Sequence, residues 1–264
     1  MKPVYSKLVR GALHAVPASI RTRFLNLCLH ELTETERFRL GVPSVIGALQ
    51  SVKENGFAPQ TIVDIGAHVG DWSRLASQVF PLAKFFMIEG NPDHDAALKD
   101  SLHQIGQKSE YAILLLGPEE RRATTFYKLD TGSSVLPELT SFQRTEVTVP
   151  MSTLDGFMRD RECRLPILLK LDVQGFELEV LRGALEVLAR SELVVMETSL
   201  IPYNKNAPLF AEVVRFMDQR DFVVFDFCGQ LRRETDHALF QTDVVFVRED
   251  SSLRAARKFW LREP

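Results

Sequence analysis

The sequence predicts a doubly wound α/β fold, with a mostly parallel seven-stranded sheet, an antiparallel terminal hairpin and an N-terminal helical extension. From Thr61 onward, short apolar runs alternate with helical patterns, which is typical of parallel strands joined by crossover helices. The last two apolar runs, 222–227 and 244–247, are separated by sixteen residues. That is short for a crossover helix with its loops, so these two runs are predicted to pair antiparallel.

The individual elements follow from the same patterns. Short apolar runs predict five parallel strands at 61–65, 84–89, 111–116, 167–172 and 193–197. Residues 117–150 interrupt the rhythm and predict two further short strands, 124–129 and 146–149, around a loop at 131–137. Helices are predicted at 71–80, from Pro92, within 174–190 and at 209–217, and Gly183 is expected to kink or divide the third of them.

Composition and charge limit the possible domain organisation and binding partners. We expect a helical extension at 1–57, one cofactor-binding domain at 58–250 and a basic tail at 251–264. A net charge of -3 gives no basic excess, so no nucleic-acid partner is expected. The extension is basic at its start, which fits a membrane-surface or partner-binding arm, or a helix that packs on the core or on a second subunit in a homodimer.

Two further features concern the cellular location. No apolar stretch reaches the roughly 20 residues of a transmembrane helix, so no membrane span is expected. The three cysteines are widely spaced and do not form a metal or redox motif, which favours free thiols in the cytoplasm. They are Cys28, Cys163 and Cys228.

The strongest local motif lies directly after the first strand. In DIGAHVGD, which begins at Asp64, glycines let a ligand approach the backbone, and the following helix N-terminus offers free amide donors. Asp64 can pair with a cationic or hydroxyl-rich ligand. His68 occupies the middle glycine position of the dinucleotide pattern G-x-G-x-x-G, so the motif does not match a dinucleotide site. Packing alone is the alternative explanation for Gly66 and Gly70.

Acidic residues end the second and fourth strands. Glu89 is placed to accept hydrogen bonds from two ribose hydroxyls, and Asn91 could orient the turn that follows. Asp172 ends the fourth strand, where ligands of open α/β sheets bind. Lys170 lies two residues earlier on the same side of that strand, where it can also pair with a nearby carboxylate.

These motifs together resemble one family. VDIGAHVGDW, FMIEGNP, TGSSVLPE and LLKLDVQGFELEVLRGA are similar to segments of the FkbM methyltransferases, over about residues 61–247. The resemblance implies a class I methyltransferase (Rossmann-like) fold, S-adenosyl-L-methionine as cofactor, and O-methylation of a sugar or a secondary metabolite. The departures are His68, where the family commonly has asparagine, and Gln174, which is often glutamate.

The resemblance also implies roles for individual residues. One group would line the methionine part of the cofactor: Asp64, Gly66, His68 and Gly70. Glu89 and Asn91 would hold the ribose, the serine-rich loop with Ser133 and Ser134 would lie near the cofactor, and Asp172 would face the sulfonium.

Methyl transfer to an alcohol benefits from a base that orients the acceptor or removes its proton. Asp172 is the first candidate for this role and Glu197, at the end of the fifth strand, is the second. The same two carboxylates could instead ligate a divalent metal, although no metal motif is present. The acceptor is expected to be a small molecule or a carbohydrate.

Two other functions fit the same fold. A catalytically silent binding or scaffold protein would keep the cofactor site without turnover. An NAD-dependent oxidoreductase would need the dinucleotide glycine pattern and a sheet that continues parallel, and both features are missing here.

Overall fold

The computed structural model describes residues 41–255, apart from 107, 130, 131 and 140–142, together with the isolated positions 17, 20 and 36. The main sheet has seven strands in the order β3-β2-β1-β7-β8-β10-β9. The strands of this sheet are β1 (Thr61–Ile65), β2 (Lys84–Glu89), β3 (Glu110–Ile113), β7 (Ile167–Leu171), β8 (Ser191–Ser199), β9 (Phe222–Arg232) and β10 (Leu239–Arg248).

A second, three-stranded sheet has the order β4-β6-β5. Its strands are β4 (Leu115–Leu116), β5 (Arg121–Lys128) and β6 (Thr145–Ser152). The helices of the described residues are α1 (Val45–Glu54), α2 (Asp71–Val79), α3 (Asp95–Ile105), α4 (Leu154–Met158), α5 (Glu177–Arg182), α6 (Leu185–Ala189) and α7 (Phe210–Asp218), with 3₁₀ turns at Pro92–His94 and Ser252–Arg254.

Strand direction confirms the predicted fold class. Strands β3, β2, β1, β7 and β8 pair in parallel. Strand β10 pairs antiparallel with both β8 and β9, so it is inserted between them. The predicted hairpin is therefore present, and its second strand is the one next to the parallel part of the sheet.

The central strands are buried on both faces. Every residue of β1 and β7 is buried, as expected for parallel strands covered by helices on each side. On one face Val63 and Leu169 pack with helices α4 to α7, and on the other Ile62 and Leu168 pack with α1 and α2. These two cores fix the strands on which the functional site is built.

The third predicted strand, 111–116, needs a correction. The strand in the main sheet ends at Ile113, and Leu115–Leu116 pairs in parallel with Met151–Ser152 of the small sheet. Leu114 lies between them, and its N–H donates to the carbonyl of Glu89 at 2.8 Å. The run is apolar throughout, partly buried in β3 and buried in β4, so its sequence does not mark the point where the pairing partner changes.

Other element predictions agree closely with the structure. Gly183 follows α5 as its C-cap and separates it from α6, so the helix predicted within 174–190 is divided there. The helix predicted from Pro92 begins as a 3₁₀ turn and continues as α3.

Only part of the predicted extension lies within the described residues. Helix α1 starts at the N-cap Ser44, whose hydroxyl accepts a hydrogen bond from the N–H of Gly47 at 3.2 Å, and its Leu49 and Val52 pack on the core. The rest of 1–57 and most of 251–264 are outside the described residues, so the domain boundaries stay predictions. Within the described part, no helix combines the length and the apolar character needed to cross a membrane.

Candidate active site

The ends of β1, β2 and β7 meet at one cleft. Gly66, Glu89 and Asp172, each directly following or ending one of these strands, all line it. The cleft contains about 800 Å³ of empty space, part of it open to solvent. Strand ends that are far apart in sequence are adjacent here because parallel strands finish at the same edge of a sheet.

Gly66 allows the loop after β1 to pack directly on the loop after β7. Its φ is +73°, and a Cβ atom at this position would lie 1.8 Å from the carbonyl oxygen of Asp172. The carbonyl of Gly66 accepts a hydrogen bond from Lys170 Nζ at 2.8 Å. Any side chain here would separate the two loops that form the floor of the cleft.

Glu89 links the loop after β1 to the turn after β2. Its Oε2 accepts a hydrogen bond from the backbone N–H of His68 at 2.8 Å, and its Oε1 accepts one from the N–H of Asn91 at 2.7 Å. His68 lines the cleft with φ of +50°, and its ring packs edge-to-face on His94 with centroids 4.2 Å apart. The Glu89 carboxylate is thus fixed at the cleft wall while each oxygen keeps further acceptor capacity.

Asp64 lies beneath the cleft and does not appear among its described lining residues. It is fully buried, accepts a hydrogen bond from Ser73 Oγ at 2.7 Å, and has Lys170 Nζ 3.0 Å from its Oδ1. Burial alone would lower the pKa of Lys170, but the charges of Asp64 and Asp172 outweigh it and raise that pKa. The carboxylate pairing considered for Lys170 from the sequence is therefore the one observed.

Gly70 and Asn91 serve the local backbone. Gly70 is the N-cap of α2 with φ of +85°, and a Cβ atom there would lie 2.6 Å from the Cβ of Ser101 on α3. Asn91 is buried and caps the 3₁₀ turn by accepting the N–H of Asp93 at 3.1 Å. Neither residue belongs to the described lining of the cleft.

The serine-rich loop reaches the cleft from the small sheet. Ser133 and Ser134 both line it. Ser134 Oγ donates to the backbone carbonyl of Gln174 at 2.9 Å and accepts the N–H of Leu136 at 3.1 Å, while Ser133 Oγ accepts the N–H of Leu129 at 2.9 Å. The loop between β5 and β6 is thereby attached to the loop after β7.

The two carboxylates predicted for catalysis occupy different depths. Asp172 lines the cleft, and its side chain is 37% exposed. Glu197 is one layer behind it, because Gln174 Nε2 lies between them, 3.0 Å from Asp172 Oδ1 and 3.1 Å from Glu197 Oε1. Glu197 Oε1 also accepts from Gln241 Nε2 at 2.7 Å.

Sequence reasoning did not identify two further acids of this cluster. Glu177 is buried, and its Oε1 accepts the N–H groups of Val173 and Gly175 at 2.9 and 3.1 Å. Burial raises the pKa of Glu177 to about 7. Asp243, the cross-strand neighbour of Glu197 on β10, has its pKa raised to about 6 by burial and by the charge of Asp172.

Glu197 is affected by the same surroundings. Burial, followed by the charges of Asp172, Glu177 and Asp243, raises its pKa well above the usual range of a glutamate. In the part of the chain that the structure describes, no group of three or more histidine, cysteine, aspartate or glutamate side chains is arranged to hold a metal ion. Cys163 and Cys228 are free thiols, and Cys28 lies outside the described residues.

An acid-bearing cleft at the strand ends of a sheet of this order defines a class I methyltransferase fold. The family model of the methyltransferase FkbM domain matches residues 64–224, which is more than half of the chain. The protein therefore belongs to the FkbM family of methyltransferases, as the sequence motifs indicated, and S-adenosylmethionine is its cofactor.

Solved structures of methyltransferases are similar to this chain at low sequence identity. The precorrin-6y C5,15-methyltransferase of Geobacter metallireducens is 13% identical, with 77% of this chain and 86% of that chain covered and a TM-score of 0.44. The magnesium protoporphyrin IX methyltransferase ChlM of Synechocystis, with bound SAM, is 9% identical, with 81% and 82% covered and a TM-score of 0.44. No curated protein matches the sequence.

Proposed function

We propose that the protein transfers a methyl group from S-adenosylmethionine to a hydroxyl group of a small molecule or a carbohydrate. One observation carries this proposal: Gly66, Glu89 and Asp172, from three different strand ends, line a single cleft. The cofactor supplies an activated methyl group on a cationic sulfonium. The protein then has to position the acceptor oxygen and keep water away.

The cleft has complementary surfaces for the parts of this cofactor. Glu89 offers carboxylate oxygens for the two ribose hydroxyls. The wall beyond it is apolar and suits a purine ring, with Leu115 and Phe126 among its side chains. The loop with Gly66 and His68 is assigned to the methionine part.

Asp172 is assigned to the sulfonium side. It is the partly exposed carboxylate of the cleft, so it can stabilise the positive charge and also orient or deprotonate an acceptor hydroxyl. Glu197 supports it from behind through Gln174 and stays the second candidate for a proton acceptor. Asp64, Gly70 and Asn91 shape these loops from beneath the surface of the cleft.

The carboxylate of Asp172 favours a neutral or cationic acceptor. Its negative charge in the cleft disfavours a phosphate-rich partner such as a nucleic acid. A homodimer formed through residues 1–57 stays a prediction, as does a cytoplasmic location, which the free thiols of Cys163 and Cys228 support.

Calorimetry tests the cofactor assignment. The wild-type protein is titrated with S-adenosylmethionine and, separately, with NAD. Saturable binding of S-adenosylmethionine alone is expected, whereas preferential binding of NAD would reject the proposal.

Turnover separates an enzyme from a binding protein of the same fold. Release of homocysteine is measured by a coupled thiol assay over a panel of sugars, phenols and aliphatic alcohols. A hydroxyl acceptor that is consumed in step with thiol release supports the proposal. Methylation confined to a nitrogen or carbon acceptor would overturn the O-methyl assignment.

A further inference from the structure

Gln174 occupies a strained position that its neighbours hold in place. Its φ is +57°, in the left-handed region that few residues with a side chain adopt. Its carbonyl accepts hydrogen bonds from Ser134 Oγ at 2.9 Å and from Asn204 Nδ2 at 2.6 Å. Glu177 binds the N–H groups on either side of it. A strained residue fixed by this many contacts at a functional site indicates a role for its side chain.

The side chain of Gln174 joins two carboxylates. Its Nε2 lies 3.0 Å from Asp172 Oδ1 and 3.1 Å from Glu197 Oε1. This orientation suits Asp172, because a carboxylate only accepts hydrogen bonds and an amide oxygen there would meet another acceptor. Both amide hydrogens are thus used, one on each acid.

This amide fixes the direction of Asp172 among many charges. Asp172 Oδ2 is 3.8 Å from Lys170 Nζ, which also pairs with Asp64. Three further acids, Glu177, Glu197 and Asp243, approach from α5, β8 and β10. Without the Gln174 amide, Asp172 would lose its hydrogen bond on the Glu197 side, and the attraction of Lys170 would turn its carboxylate away from the cleft.

We propose that Gln174 is a positioning residue that aims the Asp172 carboxylate at the sulfonium and so makes the cleft prefer the methyl donor over its demethylated product. S-adenosylmethionine is positively charged at sulfur, whereas S-adenosylhomocysteine is neutral there. A carboxylate held beside the sulfur therefore binds the donor more tightly and favours exchange of the spent product. This inference rests on the proposed function and adds product discrimination to it.

The test measures the affinities of both ligands, and needs no methyl acceptor. Dissociation constants for S-adenosylmethionine and S-adenosylhomocysteine are determined by calorimetry at one pH and ionic strength for the wild type, Q174L, Q174N, D172N and the double variant Q174L/D172N. Q174N tolerates the left-handed backbone but its amide is one methylene too short, so it separates side-chain reach from backbone strain. Gln78→Leu, an exposed glutamine on α2, is the matched control.

The expected result is a change in the ratio of the two affinities. The preference for the donor falls by about tenfold in D172N, a modest loss because solvent in the open part of the cleft screens the contact between the two charges. It falls similarly in Q174L and Q174N, and the double variant shows no further loss because both residues act through one carboxylate. The control keeps the wild-type ratio.

A purely structural role for Gln174 predicts a different pattern. Q174L and Q174N would then weaken the binding of both ligands by the same factor and leave the ratio of the two affinities unchanged. Alternatively, the double variant would show the full effect of Q174L added to that of D172N. Either outcome overturns the inference. Failure of the wild type to bind either ligand would reject the proposed function itself, and this result is distinguishable from an unchanged ratio.

Discussion

The carboxylate of Glu89 accepts the backbone N–H of His68 at 2.8 Å, and this contact joins the end of β2 to the loop after β1. With its other oxygen bound to the N–H of Asn91, the same side chain closes both turns of the proposed ribose site. A single residue thus shapes the cleft and also lines it.

Replacing Glu89 is expected to weaken cofactor binding. Glu89→Ala removes about 1.5–3 kcal/mol of charge-assisted hydrogen bonding and raises the dissociation constant of S-adenosylmethionine roughly ten- to a hundredfold. Glu89→Gln is also expected to weaken cofactor binding, because the single oxygen of its amide can accept only one of the two backbone N–H groups. Calorimetry measures the affinity, and Glu110→Ala, at the opposite end of the sheet beside Lys84, serves as the control. An unchanged affinity in Glu89→Ala would remove this residue from the site.

Asp172→Asn is expected to lower turnover more than cofactor affinity. The asparagine keeps the shape of the side chain but loses the charge and the capacity to take a proton, so kcat falls by about a hundredfold or more. The measurement uses an acceptor identified in the panel and saturating cofactor. Glu197→Gln, which keeps an oxygen for the Gln174 and Gln241 amides, should lose less. Wild-type kcat in Asp172→Asn would reject its role.

Lys170→Met is expected to destabilise the protein. It leaves Asp64, a fully buried carboxylate, without its cation, which costs about 3–5 kcal/mol of the free energy of unfolding. Chemical denaturation measures the loss, and a second change, Asp64→Asn, should recover part of it. Arg121→Met, which breaks an exposed pair with Glu119, is the comparison and should cost less than about 1 kcal/mol. Equal losses of unfolding free energy in Lys170→Met and Arg121→Met would show that the buried ion pair stabilises the protein no more than the exposed one.

Glu177 is expected to make the protein less stable as the pH rises. Its pKa is raised in the folded protein from 4.5 to about 7, so the folded state holds this proton more tightly than the unfolded state. The stabilisation is complete below about pH 4.5 and is lost as the pH rises through about 7, a change on the order of 3 kcal/mol.

Glu177→Gln isolates this contribution, because its amide oxygen can still accept the N–H groups of Val173 and Gly175. The free energy of unfolding is measured by denaturant titration from pH 4.5 to 8 for both proteins. The difference between wild type and variant should shift in favour of the variant across that range. A difference independent of pH would contradict the assigned pKa shift.

The sequence was most informative where burial acts on whole segments. Strands β1 and β2 have the predicted bounds, because strands buried on both faces are mostly apolar runs that stand out from the polar segments around them. The residues facing the cleft were harder to predict. Asp64 stands near the end of its strand like Glu89, yet it pairs in register with Lys170 and is buried below the site.

The contacts of Gln174 could not be predicted for a related reason. Its partners Glu197 and Asn204 come from other parts of the chain, and their approach depends on how β8 and the following loop pack. Glu177 carried a usable signal, since an acid in the first turn of a helix is favoured by the unpaired backbone N–H groups at that end. The raised pKa of Asp243 depends on burial beside β8, which no local pattern shows.

The apolar run 111–116 passes from the main sheet to the small sheet, and this affects how the sequences of related proteins can diverge. Leu115 and Leu116 line the cleft and also pair with β6, so the small sheet is joined to the wall of the cleft by its first strand. The segment between β5 and β6 returns to the cleft, where Ser133 and Ser134 line it. Changes in the small sheet during evolution can therefore reshape one wall of the cleft, while the main sheet keeps the spacing between Glu89 and Asp172.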